Sequence, residues 1–171
     1  DCGLGKTFCQ LEWSRLVNYK TNHKVLILAP LAIVEQTKKE AVKFNIDIDV
    51  FDITNYDQLK NIDISIYGGI VLDESSILKG RDGKLSSLII SKFRNFKYKL
   101  ACSATPSPND HMELGQHSEF LNGMTYLEML AMYFVHDGGE TSKWRLRKHA
   151  EDDFWKYVSS WSMAIDKPDT L

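Results

Sequence analysis

Apolar and polar positions along the chain follow two different periods, and the switches between them outline its elements. After Lys6, the side chains of Cys9, Trp13, Leu16 and Val17 recur at i, i+4, i+7 and i+8, which predicts a helix with these residues on its buried face. "KVLILAP" (24–30) is an unbroken apolar run of strand length closed by Pro30, the pattern of a strand covered on both faces. "LAIVEQTKKEAVKF" (31–44) returns to helical spacing, and "IDIDVFDIT" (46–54) alternates like a strand. "GGIVLDES" (68–75) reads as a second buried strand entered through two glycines. Leu85, Leu88, Ile89 and Phe93 mark another helix, and "KYKLACSAT" (97–105) a further strand. From Pro108 onward the strand signals stop. Met112 to Phe134 reads as two helices, Phe154, Tyr157, Val158, Trp161 and Ile165 stripe a last one, and 136–143 is a loop. Strands alternating with helices predict an α/β domain built on a mostly parallel sheet, followed by a helical C-terminal segment.

Composition narrows this picture without changing it. A chain of 171 residues with 43% hydrophobic and 26% charged content is an ordinary globular chain, long enough to bury a core. The net charge of −2 excludes a global basic field, so any nucleic-acid contact must be local. No apolar run is long enough to cross a bilayer and no leader pattern is visible, so no membrane role is expected. Cys2, Cys9 and Cys102 form no C-x-x-C pair, which argues against a metal or disulfide framework and for a reducing, cytoplasmic setting.

Three stretches carry candidate chemistry. The first, "DCGLGKT" (1–7), ends in Gly5-Lys6-Thr7 and opens a helix. A glycine loop leading into a helix N-terminus offers backbone N–H groups to phosphates, Lys6 can reach the outer phosphates, and the Thr7 hydroxyl can ligand Mg²⁺. The alternative is a helix start with no ligand. The full motif begins one residue before Asp1, so the expectation is a piece of a longer protein, cut inside the loop. In the second stretch, Asp73 and Glu74 end a buried strand, at the sheet edge where α/β proteins bind ligands. Two adjacent carboxylates there are costly unless a cation or hydrogen bonds offset them. In a phosphate site Asp73 would hold Mg²⁺ and Glu74 would orient and deprotonate water; a helix N-cap acid pair is the structural alternative. The third stretch, "CSATPSP" (102–108), delivers Ser103 and Thr105 to the same edge.

In order, "DCGLGKT", "LILAPLAIVEQTKKE", "ITNYDQL", "GIVLDESSILK" and "LACSATP" resemble motifs I, Ia, Ib, II and III of superfamily 2 helicases. The resemblance is to the Swi/Snf-like branch, and within it to helicase-like proteins encoded by phages and prophages. It covers essentially the whole chain, including "HDGGETSKWRLRKHAEDDFWKYVSSW" (136–161), similar to the linking region of the phage proteins.

The resemblance implies that residues 1–107 are the first of two RecA-like, P-loop lobes, lacking its leading strand and the upstream adenine-recognising motif. Residues 108–171 would then be a helical extension leading towards a second lobe that supplies arginine fingers. By the same resemblance, Gly3, Leu4, Gly5, Lys6 and Thr7 bind ATP, Thr7 and Asp73 hold Mg²⁺, and Lys6 and Glu74 are catalytic. Ser103 and Thr105 couple the nucleotide site to nucleic acid, and the backbone around Pro30 and Leu31 touches the nucleic acid, DNA with RNA left open. The implied setting is the cytoplasm of a bacterial or phage-infected cell. The chain departs from the pattern at Ser75-Ser76, where relatives carry Ala then His, Asp or Gln, which alters the contact between motifs II and III. A P-loop ATPase or kinase without a nucleic-acid role, and a non-catalytic module keeping the fold, are the alternatives. "SATP" argues against the first, and intact Lys6, Asp73 and Glu74 against the second.

Several other residues have bland readings. Lys38, Lys39 and Lys43 face either phosphates or solvent, and "KWRLRKH" (143–149), followed at once by three acids, is either a nucleic-acid contact or a charged turn. The histidines lack metal-ligand spacing and read as surface or packing residues. Cys2 reads as a small packing residue in the loop.

Overall fold

The computed structural model describes residues 5–79, 83–107, 110–136 and 144–164. Gly3 and Leu4 of the candidate loop, with Cys2, Pro108, Ile165 and residues 137–143, lie outside the described residues. The chain divides into two compact units, residues 1–75 with 95–104 and residues 76–94 with 105–171.

The first unit is an α/β layer. Helix α1 (Lys6–Thr21) leads into strand β1 (Lys24–Leu28), and a short 3-10 turn and α2 (Val34–Lys43) return the chain to β2 (Phe51–Thr54). Strands β3 (Tyr67–Asp73) and β4 (Tyr98–Cys102) complete a four-stranded, all-parallel sheet of order β2-β1-β3-β4. This is a layout that Rossmann and RecA-like folds share. Val25, Ile27 and Val71 sit on one face of the sheet, where Leu11 and Val17 of α1 and Ala41 of α2 pack on them. Leu26, Leu28, Ile70 and Leu72, on the opposite face, are also buried, as unbroken apolar strand sequences require. Gly69 lets α1 close on the sheet: a Cβ there would lie 3.0 Å from the Val17 side chain and 3.3 Å from that of Trp13.

Two sequence expectations change here. Of the predicted buried face of α1, Val17 is buried and Trp13 packs partly buried against the core, but Cys9 is exposed and Leu16 half exposed, and Gln10, Leu11 and Ser14 take their place. Ser14 meets its hydrogen-bonding need inside the helix, donating to the Gln10 carbonyl at 2.8 Å. The alternating run 46–54 is a strand only over Phe51–Thr54. Its first half is a 3-10 turn, Ile48–Val50, because the Asp47 carboxylate accepts from the Asp49 N–H and caps a turn instead.

The second unit is mainly helical: α3 (Lys84–Lys92), α4 (Leu114–Phe120), α5 (Tyr126–Tyr133) and α6 (Glu151–Trp161). Thr125 and Glu128 form a capping box that starts α5. Strands do occur after Pro108, where the sequence signals stop: β5 (Phe134–His136) pairs antiparallel with β6 (Trp144–Leu146). The helix predicted to reach Ile165 ends at Trp161, where the Ser162 N–H caps the Val158 carbonyl.

Phe154 is fully buried in this unit, edge-on to Tyr133 at 5.5 Å and Phe134 at 5.6 Å between ring centroids. Phe154→Ala is therefore expected to cost about 3–5 kcal/mol in chemical denaturation, transfer loss plus an unfilled cavity. A cost below about 1 kcal/mol would mean that Phe154 is not a core anchor. Among the described residues no helix is long and apolar enough to cross a membrane.

Candidate functional site

Parallel strands deliver their C-terminal ends to one edge of the first unit's sheet. Pro30 and Leu31 follow β1, Tyr56 follows β2, Asp73 closes β3 with Glu74 in the turn after it, and Ser103 follows β4. Asp73 shares its face with Val71, and so with α1, because side chains alternate along β3. Helix α1 begins at this edge. Gly5, its N-cap, has φ +81°, a left-handed conformation that glycine adopts without strain. No side chain caps the helix start among the described residues, and its first turn carries a cation, Lys6, rather than an acid. A positive charge at a helix N-terminus is unfavourable by about 0.3–1 kcal/mol, so Lys6 must find an anion.

It finds Asp73. Lys6 Nζ lies 2.9 Å from Asp73 Oδ1 and 3.9 Å from Glu74 Oε2. Burial acts to lower the Lys6 pKa, but the Asp73 hydrogen bond and the charges of Asp73 and Glu74 outweigh it and hold the ammonium above its ordinary value. Asp73 is buried, and its Oδ1 also accepts from Gln10 Nε2 at 2.8 Å. Its backbone carbonyl accepts from the Tyr56 hydroxyl at 2.6 Å; burial, with the charges of Asp73 and Glu74, raises the Tyr56 pKa so that it remains a donor.

Glu74 has φ +59°. The other described non-glycine residues in that region, Asn22, Asn45 and Asn122, are asparagines, which tolerate it. A glutamate held there is strained, and it is fixed by its surroundings: Ser103 Oγ donates to Glu74 Oε1 at 2.7 Å. Cys102 stands in register beside Asp73. Burial pushes its thiol up to about 11, with Gln10 and Lys6 only partly offsetting, so it stays protonated at neutral pH.

The structure thus gathers Gly5, Lys6, Asp73, Glu74 and Ser103 in one place, with Thr7 on the first turn of α1. Pro30 and Leu31 are exposed at the end of β1. Thr105 belongs to the second unit, where Lys79 Nζ donates to its hydroxyl at 3.4 Å. Gln10 and Tyr56 were missed by sequence reading. The signal for Gln10 was its place one helical turn after Lys6; Tyr56 gave none beyond its position after an apolar strand. Lys38 pairs with Glu35 at 3.3 Å, and Lys43 lies over the Phe44 ring, as on a solvated helix face. His111 stacks on Phe154 and His136 meets Trp144 edge-on. In 143–149, Arg147 donates to the Met132 carbonyl at 3.2 Å.

Chemically, the edge offers a cation and an uncapped helix start to an anion, a buried carboxylate to a cation, and an oriented second carboxylate to a proton. Among the described residues no group of three or more His, Cys, Asp or Glu side chains forms a protein-only metal cage. No family model matches the chain, and no curated protein matches it.

Proposed function

We propose that this chain is the ATP-binding, RecA-like lobe of a nucleic-acid-dependent ATPase, a DNA translocase or helicase. The observation that carries the reading is the junction of Lys6, at an uncapped helix start behind a left-handed glycine, with Asp73 and a strained Glu74 at the carboxyl edge of a parallel sheet. Each part has a task in phosphate chemistry. The N–H groups of the first turn of α1 receive phosphate oxygens, and Lys6 exchanges Asp73 for the outer phosphates. Glu74, steadied on Oε1 by Ser103, takes the proton from attacking water.

The residues present suit magnesium. Asp73 already binds a cation, the Lys6 ammonium, at 2.9 Å, and Mg²⁺ in nucleotide sites takes only one or two protein ligands, completing its shell with phosphates and water. Asp73 and Thr7 would hold it, and bound there it would neutralise phosphate charge. The ordered resemblance to motifs Ia, Ib and III supports the nucleic-acid role of the exposed Pro30–Leu31 segment and the coupling role of Ser103 and Thr105. It also assigns the cleft's other half to a second lobe.

This reading sets an outcome for residues 1–171 alone. Arginine fingers are worth roughly 10³–10⁵ in rate, and in this account they come from the other lobe. The isolated chain is expected to fold yet show negligible ATP hydrolysis with or without DNA, and adding the second lobe and the upstream segment should restore turnover. Robust DNA-stimulated hydrolysis by residues 1–171 alone would overturn the two-lobe reading in favour of a self-sufficient ATPase or kinase.

A further inference from the structure

Asp73 offers one carboxylate oxygen to two donors, and the donors are held very differently. Lys6 reaches Oδ1 on a flexible stem whose side chain is 39% exposed. Gln10 reaches the same oxygen from the buried face of α1 and is only 2% exposed. The rest of Asp73 is already fixed. Its backbone is in register with Cys102 of β4, and its carbonyl accepts from Tyr56. Rotation of the carboxylate about its own side-chain bonds is what remains, and Gln10 restrains it.

We infer that Gln10 is a positioning residue, which keeps the Asp73 carboxylate aimed once Lys6 is drawn to a phosphate. The inference rests on the ATP-site reading above. A lysine drawn to the outer phosphates gives up part or all of its hold on Asp73, so in this reading nucleotide binding weakens one of the two donors to a residue that is 4% exposed. The other side-chain partner of Gln10 is the Cys102 thiol, a weaker hydrogen-bond partner than a carboxylate. The Gln10 amide is enclosed, and a buried amide deprived of its acceptor is costly, so it stays on Asp73 in both states. The hold of Asp73 on Mg²⁺ then depends on an amide one helical turn beyond the lysine, and partners of this kind are typically worth 10–100-fold in metal affinity.

The test is Gln10→Met in the complete natural polypeptide, which keeps the side chain's length and volume and removes its N–H. Binding of a fluorescent ATP analogue is measured in EDTA and across a magnesium titration, with thermal melting to check the fold. The expected result is a magnesium half-saturation raised about 10–100-fold, with affinity in EDTA at the wild-type value. If the Met variant does not fold, Gln10→Asn, polar but one methylene too short to reach Asp73, carries the same measurement. An unchanged magnesium requirement, or an equal loss of binding with and without magnesium, reduces Gln10 to a packing role and overturns the inference while leaving the ATP site standing. Absence of nucleotide binding by the wild type removes the site itself, and the inference with it.

Discussion

Lys6→Ala is expected to abolish ATP turnover by the complete natural polypeptide. Lys6 is the cation at the head of α1, held protonated by Asp73 and Glu74. Its ammonium, on a side chain that is 39% exposed, has the reach and the exposure to change partners. Charge-assisted hydrogen bonds to phosphate are about twice as strong as neutral ones, and alanine removes this one in ground state and transition state alike. It also strands Asp73, leaving Gln10 as its remaining side-chain donor among the contacts described above. The variant should therefore lose both affinity and rate, in a nucleotide titration and a phosphate-release assay, while retaining a cooperative melt. Turnover near the wild-type level would remove Lys6, and the phosphate loop with it, from the account.

Glu74→Gln should separate binding from chemistry. The substitution preserves shape at a position with φ +59°, and an amide oxygen can still accept the Ser103 hydroxyl that steadies Oε1. What disappears is the ability to take a proton. Nucleotide should bind as in the wild type, while hydrolysis slows by roughly 10²–10⁴-fold, the usual worth of a positioned general base. Rapid-quench measurement of a single turnover isolates that step. Loss of binding together with rate would make Glu74 a structural residue and place the base elsewhere.

The parts of this site that were legible in the sequence are those in which one short segment holds both the chemistry and its structural cue. Gly5-Lys6-Thr7 opens a helix, Asp73-Glu74 stands at the end of an apolar strand, and Ser103 follows another; each pairing of residue type with an element's end is local. Gln10 and Tyr56 act across the fold, on a carboxylate 63 residues away for Gln10 and a carbonyl 17 residues away for Tyr56. No local pattern reports such partners. Helix α1 shows the same limit in its packing. A rule that buries apolar positions selected Cys9 and Leu16, but the helix turns Gln10 and Ser14 inward because Asp73 needs a donor and Ser14 can be satisfied within the helix. The alternation over 46–54 was real, yet an aspartate able to cap its own turn outweighed it in the first half. Strands β5 and β6 are three residues each, too short for a period to register.

The central claim, a nucleotide site that answers to nucleic acid, is tested most directly by steady-state ATP hydrolysis of the complete natural polypeptide as single-stranded DNA is titrated in. The account predicts turnover that rises saturably with DNA and is lost in Lys6→Ala. Hydrolysis that ignores both DNA and RNA, or transfer of the phosphoryl group to a small molecule instead of water, would contradict it.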